Sequence, residues 1–168
     1  MSPRLLLPSL LSLLLLVSGC KNEPPPSYLR LDGAAPPLAN IPKARALLVV
    51  FWAAWCPPCR EETPGLLALA EEPPEGLQVV VFSHDPNQGE VEAFLGSPPS
   101  PALHLRLDEE ERAARTFGVD RLPTSILVVE GRLVARFNGA RDWDSRAMRR
   151  LLEKLTREQP PGADSGAH

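Results

Sequence analysis

The sequence has little cysteine, few aromatic residues and a small net charge. Only three of its 168 residues are cysteine, and its single CxxC pair occurs without a second CxxC or an HxxxH pattern. A closed zinc site with four protein ligands is therefore not predicted. The formal net charge is −3, and no basic patch with interleaved aromatic residues indicates nucleic-acid binding.

Apolar residues are numerous enough for one ordinary core. They make up 43% of the chain, and an N-terminal segment and a C-terminal tail leave no room for a second domain. Of the twenty prolines, twelve gather in clusters that mark loops, linkers or ends. These clusters lie at 24–26, 36–37, 73–74, 98–101 and 160–161.

The first nineteen residues have the pattern of a secretory signal. Arg4 precedes an apolar run over 5–17, and two small residues follow this run before Cys20. A membrane-spanning helix is the alternative. The apolar run has thirteen residues and contains Pro8, however, whereas a spanning helix needs roughly 20. We therefore predict export rather than a transmembrane segment.

Cys56 and Cys59 stand where a strand pattern changes to a helical pattern. Residues 46–52 have the length and composition of a buried strand, and residues 60–70 have helical spacing. A cysteine at this corner would cap a helix N-terminus, whose dipole stabilises the thiolate that attacks disulfides. A purely structural disulfide is the alternative, but a bridge between such near neighbours restricts the unfolded chain little. The corner therefore predicts a redox-active pair.

The rest of the chain predicts further strands and helices around this corner. An apolar strand over 77–83 follows the motif helix, and a helix between two such strands is typical of a parallel βαβ unit. The sequence further predicts short strands at 28–32 and 37–41, a helix at 87–95, a strand at 103–107, a helix at 109–117, a hairpin of 125–130 with 132–138, and an amphipathic helix at 143–157.

Two motifs together resemble the thioredoxin superfamily. The first is Trp55-Cys-Pro-Pro-Cys59, and the second is Leu122-Pro123-Thr124 far downstream. More narrowly, WCxPCRxExP after a lipoprotein signal resembles the TlpA/ResA-type thiol-disulfide oxidoreductases, over about residues 28–157. The resemblance implies an α/β thioredoxin fold with a central mixed sheet flanked by helices, an N-terminal strand extension and a βα insertion.

The segment Val17-Ser-Gly-Cys20 is similar to a bacterial lipobox. The resemblance implies that Cys20 is lipidated and becomes the mature N-terminus, which leaves no odd thiol beside the pair. The alternative is an ordinary signal peptide with a free Cys20. The predicted organisation is a signal peptide over 1–19, a lipidated cysteine and proline-rich tether over 20–27, a thioredoxin-like domain over 28–157 and a disordered tail over 158–168.

Cys56 is the predicted nucleophile, and Cys59 is predicted to resolve the mixed disulfide from the first helical turn. Pro57 and Pro58 lie between them and offer no backbone N–H to a thiolate. We therefore predict that the pKa of Cys56 is only moderately lowered, nearer to 7 than to the value of about 3.5 of strongly oxidising CxxC proteins.

Glu62 lies one helical turn after Cys59 and is a third candidate catalytic residue. Its spacing alone favours an acid that only interacts with the helix dipole. The family resemblance implies that it helps to move the proton of the resolving thiol. Thioredoxin itself has a buried aspartate six residues before its first active cysteine, where this chain has Val50. Glu62 is then the remaining candidate for the acid-base role.

The resemblance also implies a surface for the partner protein. It implies a cis bond before Pro123, backbone pairing of Leu122 with an extended partner strand, and contact of Trp55 with the partner. The predicted substrate-binding residues are Trp55, Pro57, Pro58, Leu122 and Pro123. No cofactor and no metal site are predicted.

The function predicted on this basis is reduction of selected partner disulfides outside the cytoplasm. The resemblance implies a membrane thiol donor of the DsbD/CcdA type, and apocytochrome c CxxCH cysteines or copper-site thiols as substrates. A Sco-like copper chaperone with His84 as a ligand is an alternative, although that class carries CxxxC. A peroxidase would need a PxxxTxxC motif, which is absent. A disulfide-forming oxidant would run the same chemistry in reverse.

Overall fold

The computed structural model describes residues 44–157. The predicted signal peptide, Cys20, the tether, the two N-terminal strands and the tail lie outside the described residues. The described chain runs β1 (Ala46–Trp52), α1 (Pro57–Glu71), β2 (Leu77–Ser83), α2 (Gln88–Leu95), β3 (Arg106–Leu107), α3 (Arg112–Thr116), β4 (Thr124–Val129), β5 (Arg132–Asn138) and α4 (Arg146–Arg157). Within these residues, no helix combines the length and apolar character needed to cross a bilayer.

The five strands form one mixed sheet in the order β3-β2-β1-β4-β5. β1 pairs in parallel with β2, and β2 pairs in parallel with β3. β4 runs antiparallel to both β1 and β5. The parallel βαβ unit predicted from the two apolar runs is confirmed, with both strand ranges as predicted.

Helices cover both faces of the sheet, which explains why β1 is apolar at every position. Leu48, Val50 and Trp52 point into the cluster that contains the buried side of α1 and Leu152 of α4. Val49 and Phe51 point into the other cluster, with α3. Each of these five β1 side chains is buried. The predicted thioredoxin fold, a central mixed sheet flanked by helices, is confirmed.

The predicted strand at 103–107 is too long. Only Arg106 and Leu107 pair with β2, whereas Pro101–Leu103 forms a 3₁₀ turn. The Ser100 hydroxyl accepts the Ala102 N–H at 3.3 Å and so caps that turn. His104 has φ of 42°, which is outside the extended region, so the strand starts only after it.

The predicted helix at 109–117 is also shorter than expected. Glu110 and Glu111 have φ of 55° and 53°, so the chain is not α-helical before Arg112. The Asp108 carboxylate accepts the N–H groups of Ala113 and Ala114 at 2.7 and 2.9 Å. These bonds satisfy the first free donors of α3 and place its start.

The last helix begins three residues later than predicted. Ser145 precedes it, and its hydroxyl accepts the N–H of Met148 at 3.3 Å, as an N-cap side chain does. Trp143 therefore lies in the loop before α4 rather than on the helix, and it is fully buried. This position brings its indole to α1.

Candidate active site

The cysteine pair lies at the corner between β1 and α1, as predicted. Cys56 is the N-cap residue of α1, and Pro57 and Pro58 take the first helical positions, where a missing N–H costs nothing. Cys56 and Cys59 form a disulfide with their Cα atoms 5.2 Å apart. The two prolines leave the Cys56 sulfur without N–H donors from the residues that follow it directly.

The two cysteines differ in exposure in the order that their predicted roles require. Cys56 is 4% exposed and Cys59 is fully buried. Cys56 is therefore largely buried, but it is the more exposed of the two cysteines. Trp55 beside it is 62% exposed, an unusual exposure for a large aromatic side chain.

Trp52 and Thr63 hold the first turn of α1 through hydrogen bonds on its buried side. The Trp52 indole donates to the Cys59 carbonyl at 3.0 Å and to the Thr63 hydroxyl at 3.1 Å. The Thr63 hydroxyl in turn donates to the Cys59 carbonyl at 2.9 Å. These bonds hold the backbone of Cys59 in place, and they confirm that Trp52 is a core residue.

Asp85 holds the loop before the cysteines and was missed by the sequence reasoning. Its carboxylate accepts the Ala54 N–H at 2.9 Å and the Ser83 hydroxyl at 2.6 Å. The Ser83 hydroxyl accepts the Asp85 N–H at 3.0 Å. The carboxyl ends of parallel strands meet at one edge of a sheet, so its place directly after β2 was a usable signal.

Glu62 is a buried acid on α1, with 4% of its surface exposed. Burial raises its pKa from the ordinary 4.5 to about 7. The N–H of Arg141, the indole of Trp143 and the charge of Arg141 each lower the pKa and offset burial in part. A carboxyl group with a pKa near neutrality can both take up and release a proton at physiological pH.

Arg141 and Trp143 are the partners of Glu62, and the sequence reasoning did not identify either. The Arg141 backbone N–H and the Trp143 indole donate to the same oxygen, Oε2, at 3.1 and 2.9 Å. The pairs are separated by 79 and 81 residues along the chain. No local pattern marks such a distant pair.

The Leu122–Pro123 peptide bond is cis, as the family resemblance implied. Pro123 directly precedes β4, whose first residue Thr124 lies opposite Phe51 near the end of β1. The register therefore places Pro123 at the same end of the sheet as the C-terminus of β1, from which the chain leads to Cys56. Pro123 is buried and Leu122 is half-buried.

A groove of about 600 Å³ opens beside the cysteine corner. Its lining combines exposed Trp55 with polar and apolar side chains from α1, the loop after β2, and α2. These include Arg60, Asp85, Glu90 and Phe94, and the Arg60 guanidinium lies 4.6 Å from the centre of the Phe94 ring.

The side chains of His84 and Val50 take no part in this arrangement. His84 Nε2 lies 3.4 Å from a carboxylate oxygen of Asp108, and its ring meets the edge of Phe51. The histidine therefore belongs to the contacts between β2 and the start of α3. Val50 is fully buried in the core, so the position of the thioredoxin aspartate carries no acid here.

Comparison with known proteins places this site in a family. The family model described as Redoxin matches residues 25–152. The chain is 30% identical over 121 residues to the thiol:disulfide interchange protein HelX of Rhodobacter capsulatus, covering 70% of this chain and 67% of HelX. It is 25% identical over 121 residues to the thiol-disulfide oxidoreductase ResA of Bacillus anthracis, covering 71% of this chain and 62% of ResA.

The solved structures agree with the sequence comparison. A crystal structure described as a thiol:disulfide interchange protein DsbE from Chlorobium tepidum aligns with a TM-score of 0.53 and 29% identity. The alignment covers 67% of this chain and 77% of that chain. With the fold and the Cys56–Cys59 disulfide, these matches show that the chain belongs to the Redoxin family and carries the cysteine pair of a thiol-disulfide oxidoreductase.

Proposed function

We propose that the protein is a membrane-anchored, extracytoplasmic thiol-disulfide oxidoreductase that reduces disulfides of selected partner proteins. The observation that carries the proposal is the Cys56–Cys59 pair at the N-terminus of α1, with a buried carboxyl group of near-neutral pKa one turn further along the helix. The names of the relatives support exchange between thiols and disulfides.

The proposed exchange moves two electrons from the cysteine pair to the partner. The Cys56 thiolate attacks one sulfur of the partner disulfide, and the other partner sulfur leaves as a thiolate that takes up a proton. Cys59 loses its proton and attacks the Cys56 sulfur. The mixed disulfide breaks, the first partner sulfur also leaves as a thiolate and is protonated, and the Cys56–Cys59 disulfide forms again.

Glu62 is proposed to take the proton of Cys59 during the second step. Cys59 is fully buried, so its thiol cannot deliver a proton directly to bulk water. Glu62 lies three residues further along the same helix, where side chains are neighbours. Its pKa of about 7 allows it to accept that proton and later release it.

Partner proteins are proposed to bind at the groove beside Trp55 and at the edge formed by Leu122 and Pro123. Exposed Trp55 offers a large apolar contact next to the reacting sulfur. The family resemblance suggests apocytochrome c CxxCH cysteines or copper-site thiols as substrates. It also suggests a membrane thiol carrier of the DsbD/CcdA type, which would return the Cys56–Cys59 disulfide to the dithiol.

The direction of exchange is tested by the reduction potential of the Cys56–Cys59 pair. We expect a value near that of thioredoxin, about −270 mV, because the prolines at the start of α1 withhold N–H donors that would stabilise a Cys56 thiolate. The measurement is equilibration of the pair with glutathione, followed by alkylation and mass spectrometry. A potential near −120 mV would identify an oxidant instead.

Membrane anchoring is tested through Cys20. The full chain, expressed with its signal segment in a bacterium that processes lipoproteins, is expected to partition into detergent, whereas a Cys20→Ala variant is expected to enter the aqueous phase. Several acyl chains on one residue anchor a protein stably. Equal partitioning of the two forms would contradict lipidation and leave the redox assignment untouched.

A further inference from the structure

Both hydrogen bonds to the Glu62 carboxyl group end on one of its two oxygens. Oε2 accepts the Arg141 backbone N–H and the Trp143 indole N–H. Oε1 is buried and has no hydrogen-bond partner among the described residues 44–157. The carboxyl group is therefore asymmetric, with one oxygen held and the other bare.

This asymmetry decides which oxygen can carry a proton. Backbone and indole N–H groups donate hydrogen bonds but cannot accept them. A proton on Oε2 would have to displace one of these donors, whereas a proton on Oε1 leaves both bonds intact. A bare buried carboxylate oxygen is also costly, and protonation of Oε1 lowers that cost because it removes the buried charge.

The loop that supplies the two donors is itself tightly held. The Trp143 ring is fully buried and meets the Phe137 ring edge-on at 5.5 Å. The Arg141 guanidinium donates to the carbonyls of Ala140 and Asn138, both at 2.9 Å. These bonds fix Arg141 at the end of β5, and its backbone N–H thereby points towards Glu62 on α1.

Gly65 on α1 allows the same loop to approach the helix closely. A Cβ atom at this position would lie 3.3 Å from the Trp143 backbone nitrogen, closer than ordinary van der Waals contact. The absence of a side chain therefore permits the contact. Gly65 follows Glu62 by three residues, so the approach and the two hydrogen bonds lie on neighbouring positions of one helix face.

We infer that residues 141–143 form a clamp on Glu62 that makes Oε1 the proton-carrying oxygen, with Trp143 as a positioning residue for proton transfer from Cys59. The inference rests on the proposed function of the cysteine pair. It assigns to the loop before α4 a part in the chemistry of α1, although the loop contributes no reacting atom.

The groups around Glu62 determine whether the clamp raises or lowers the pKa of its carboxyl group. Arg141 is the charged group that acts on Glu62, and it favours the carboxylate. The Trp143 indole favours the carboxylate as well, because its N–H bonds more strongly to a charged oxygen. Loss of the indole N–H therefore raises the pKa of Glu62, and no other ionisable group has to change.

The first test needs no substitution. In the oxidised full chain, the indole N–H resonance of Trp143 is expected to shift with pH at the midpoint of Glu62, near 7, because it donates to the titrating group. The Trp52 indole, which donates to Cys59 and Thr63, is the internal control and should shift far less. A Trp143 resonance that ignores this titration would overturn the clamp.

The second test is Trp143→Phe, with Glu62 followed by ¹³C NMR of its carboxyl carbon. Because a hydrogen bond to a charged group is lost, the midpoint should rise by about one to two pH units. Phe137→Leu is the matched control: it loosens the packing of the Trp143 ring but keeps the indole N–H. An unmoved midpoint in Trp143→Phe, or an equal rise in both variants, would contradict the inference.

A Glu62→Gln variant separates this inference from the proposed function. If Glu62 takes the Cys59 proton, the pH profile of mixed-disulfide resolution should change in Glu62→Gln, and Trp143→Phe should move the profile only when Glu62 is present. Unchanged profiles with shifted carboxyl midpoints would refute the proton transfer and with it the positioning role, while the clamp on Oε2 would stand.

Discussion

A Cys56→Ser variant is expected to lose thiol-disulfide exchange by three orders of magnitude or more, on the scale seen when an enzyme loses its nucleophile. Cys56 is the N-cap of α1 and the more exposed of the two cysteines, whereas Cys59 is fully buried. The remaining cysteine therefore cannot take over the attack on a partner. The measurement is the rate at which the reduced variant cleaves a fluorescent CxxCH peptide disulfide.

Cys59→Ser is the matched control, because it removes the other sulfur of the same disulfide. It should retain the first attack and accumulate a mixed disulfide between Cys56 and the peptide, visible by mass spectrometry as one peptide per chain. If Cys56→Ser instead accumulated a mixed disulfide between Cys59 and the peptide, the two roles would be reversed. If neither variant formed an adduct while the wild type remained active, the proposed order of attack would be wrong.

The parts of the fold that could be predicted from the sequence are the strands in which burial on both faces of the sheet determines the residue type at nearly every position. Helices cover both faces of the sheet, so β1 is apolar at every position and β2 at every position except Gln78 and Ser83. The cysteine corner was predictable because an apolar strand pattern ends just before the pair and helical spacing begins just after it, and prolines at 57 and 58 are compatible with the first turn of a helix.

The short elements after α2 could not be predicted in this way. Glu110 and Glu111 adopt positive φ, although glutamate has no special preference for that region. Asp108, which caps α3, determines where the helix starts, and its bonds reach five and six residues ahead. A helical pattern across 109–117 was consequently visible in the sequence but not realised in the first three residues.

The cysteines and the acid of the candidate site were predicted from the sequence, but the residues that hydrogen-bond to them were not. Glu62 could be named from its spacing and the family resemblance, whereas its burial depends on a loop about 80 residues away. Local periodicity alone predicts that Trp143 starts the amphipathic helix. Ser145 shows the error, because an N-cap serine at this position places the tryptophan outside the helix.

Glu62 should make the oxidised protein less stable as pH rises from about 4.5 to above 7. Its pKa in the folded protein is about 7, against 4.5 for an ordinary glutamate. Between these values the unfolded chain has lost the proton and the folded chain retains it. Because the unfolded state then binds fewer protons, the free energy of unfolding falls with pH, and above 7 the loss is complete.

The expected size of this loss is about 3 kcal/mol, since each pH unit between the two pKa values is worth about 1.36 kcal/mol. Glu62 is only 4% exposed, so solvent screening reduces the effect little. Glu62→Gln cannot ionise and should lack this part of the pH dependence. Compared with wild type, the variant should therefore gain about 3 kcal/mol between pH 4 and pH 8.

Urea unfolding of the oxidised chains at a series of pH values measures this difference directly. Glu61→Gln is the control, because it removes the exposed carboxylate of the preceding residue on the same helix. The difference between wild type and Glu62→Gln should be constant below about pH 4.5, change by about 1.36 kcal/mol per pH unit between 4.5 and 7, and be constant again above 7. Glu61→Gln should remain parallel to wild type. If the stability of Glu62→Gln had the same pH dependence as that of wild type, burial would not raise the pKa of Glu62. Glu62 would then be unsuited to accept the Cys59 proton near neutral pH.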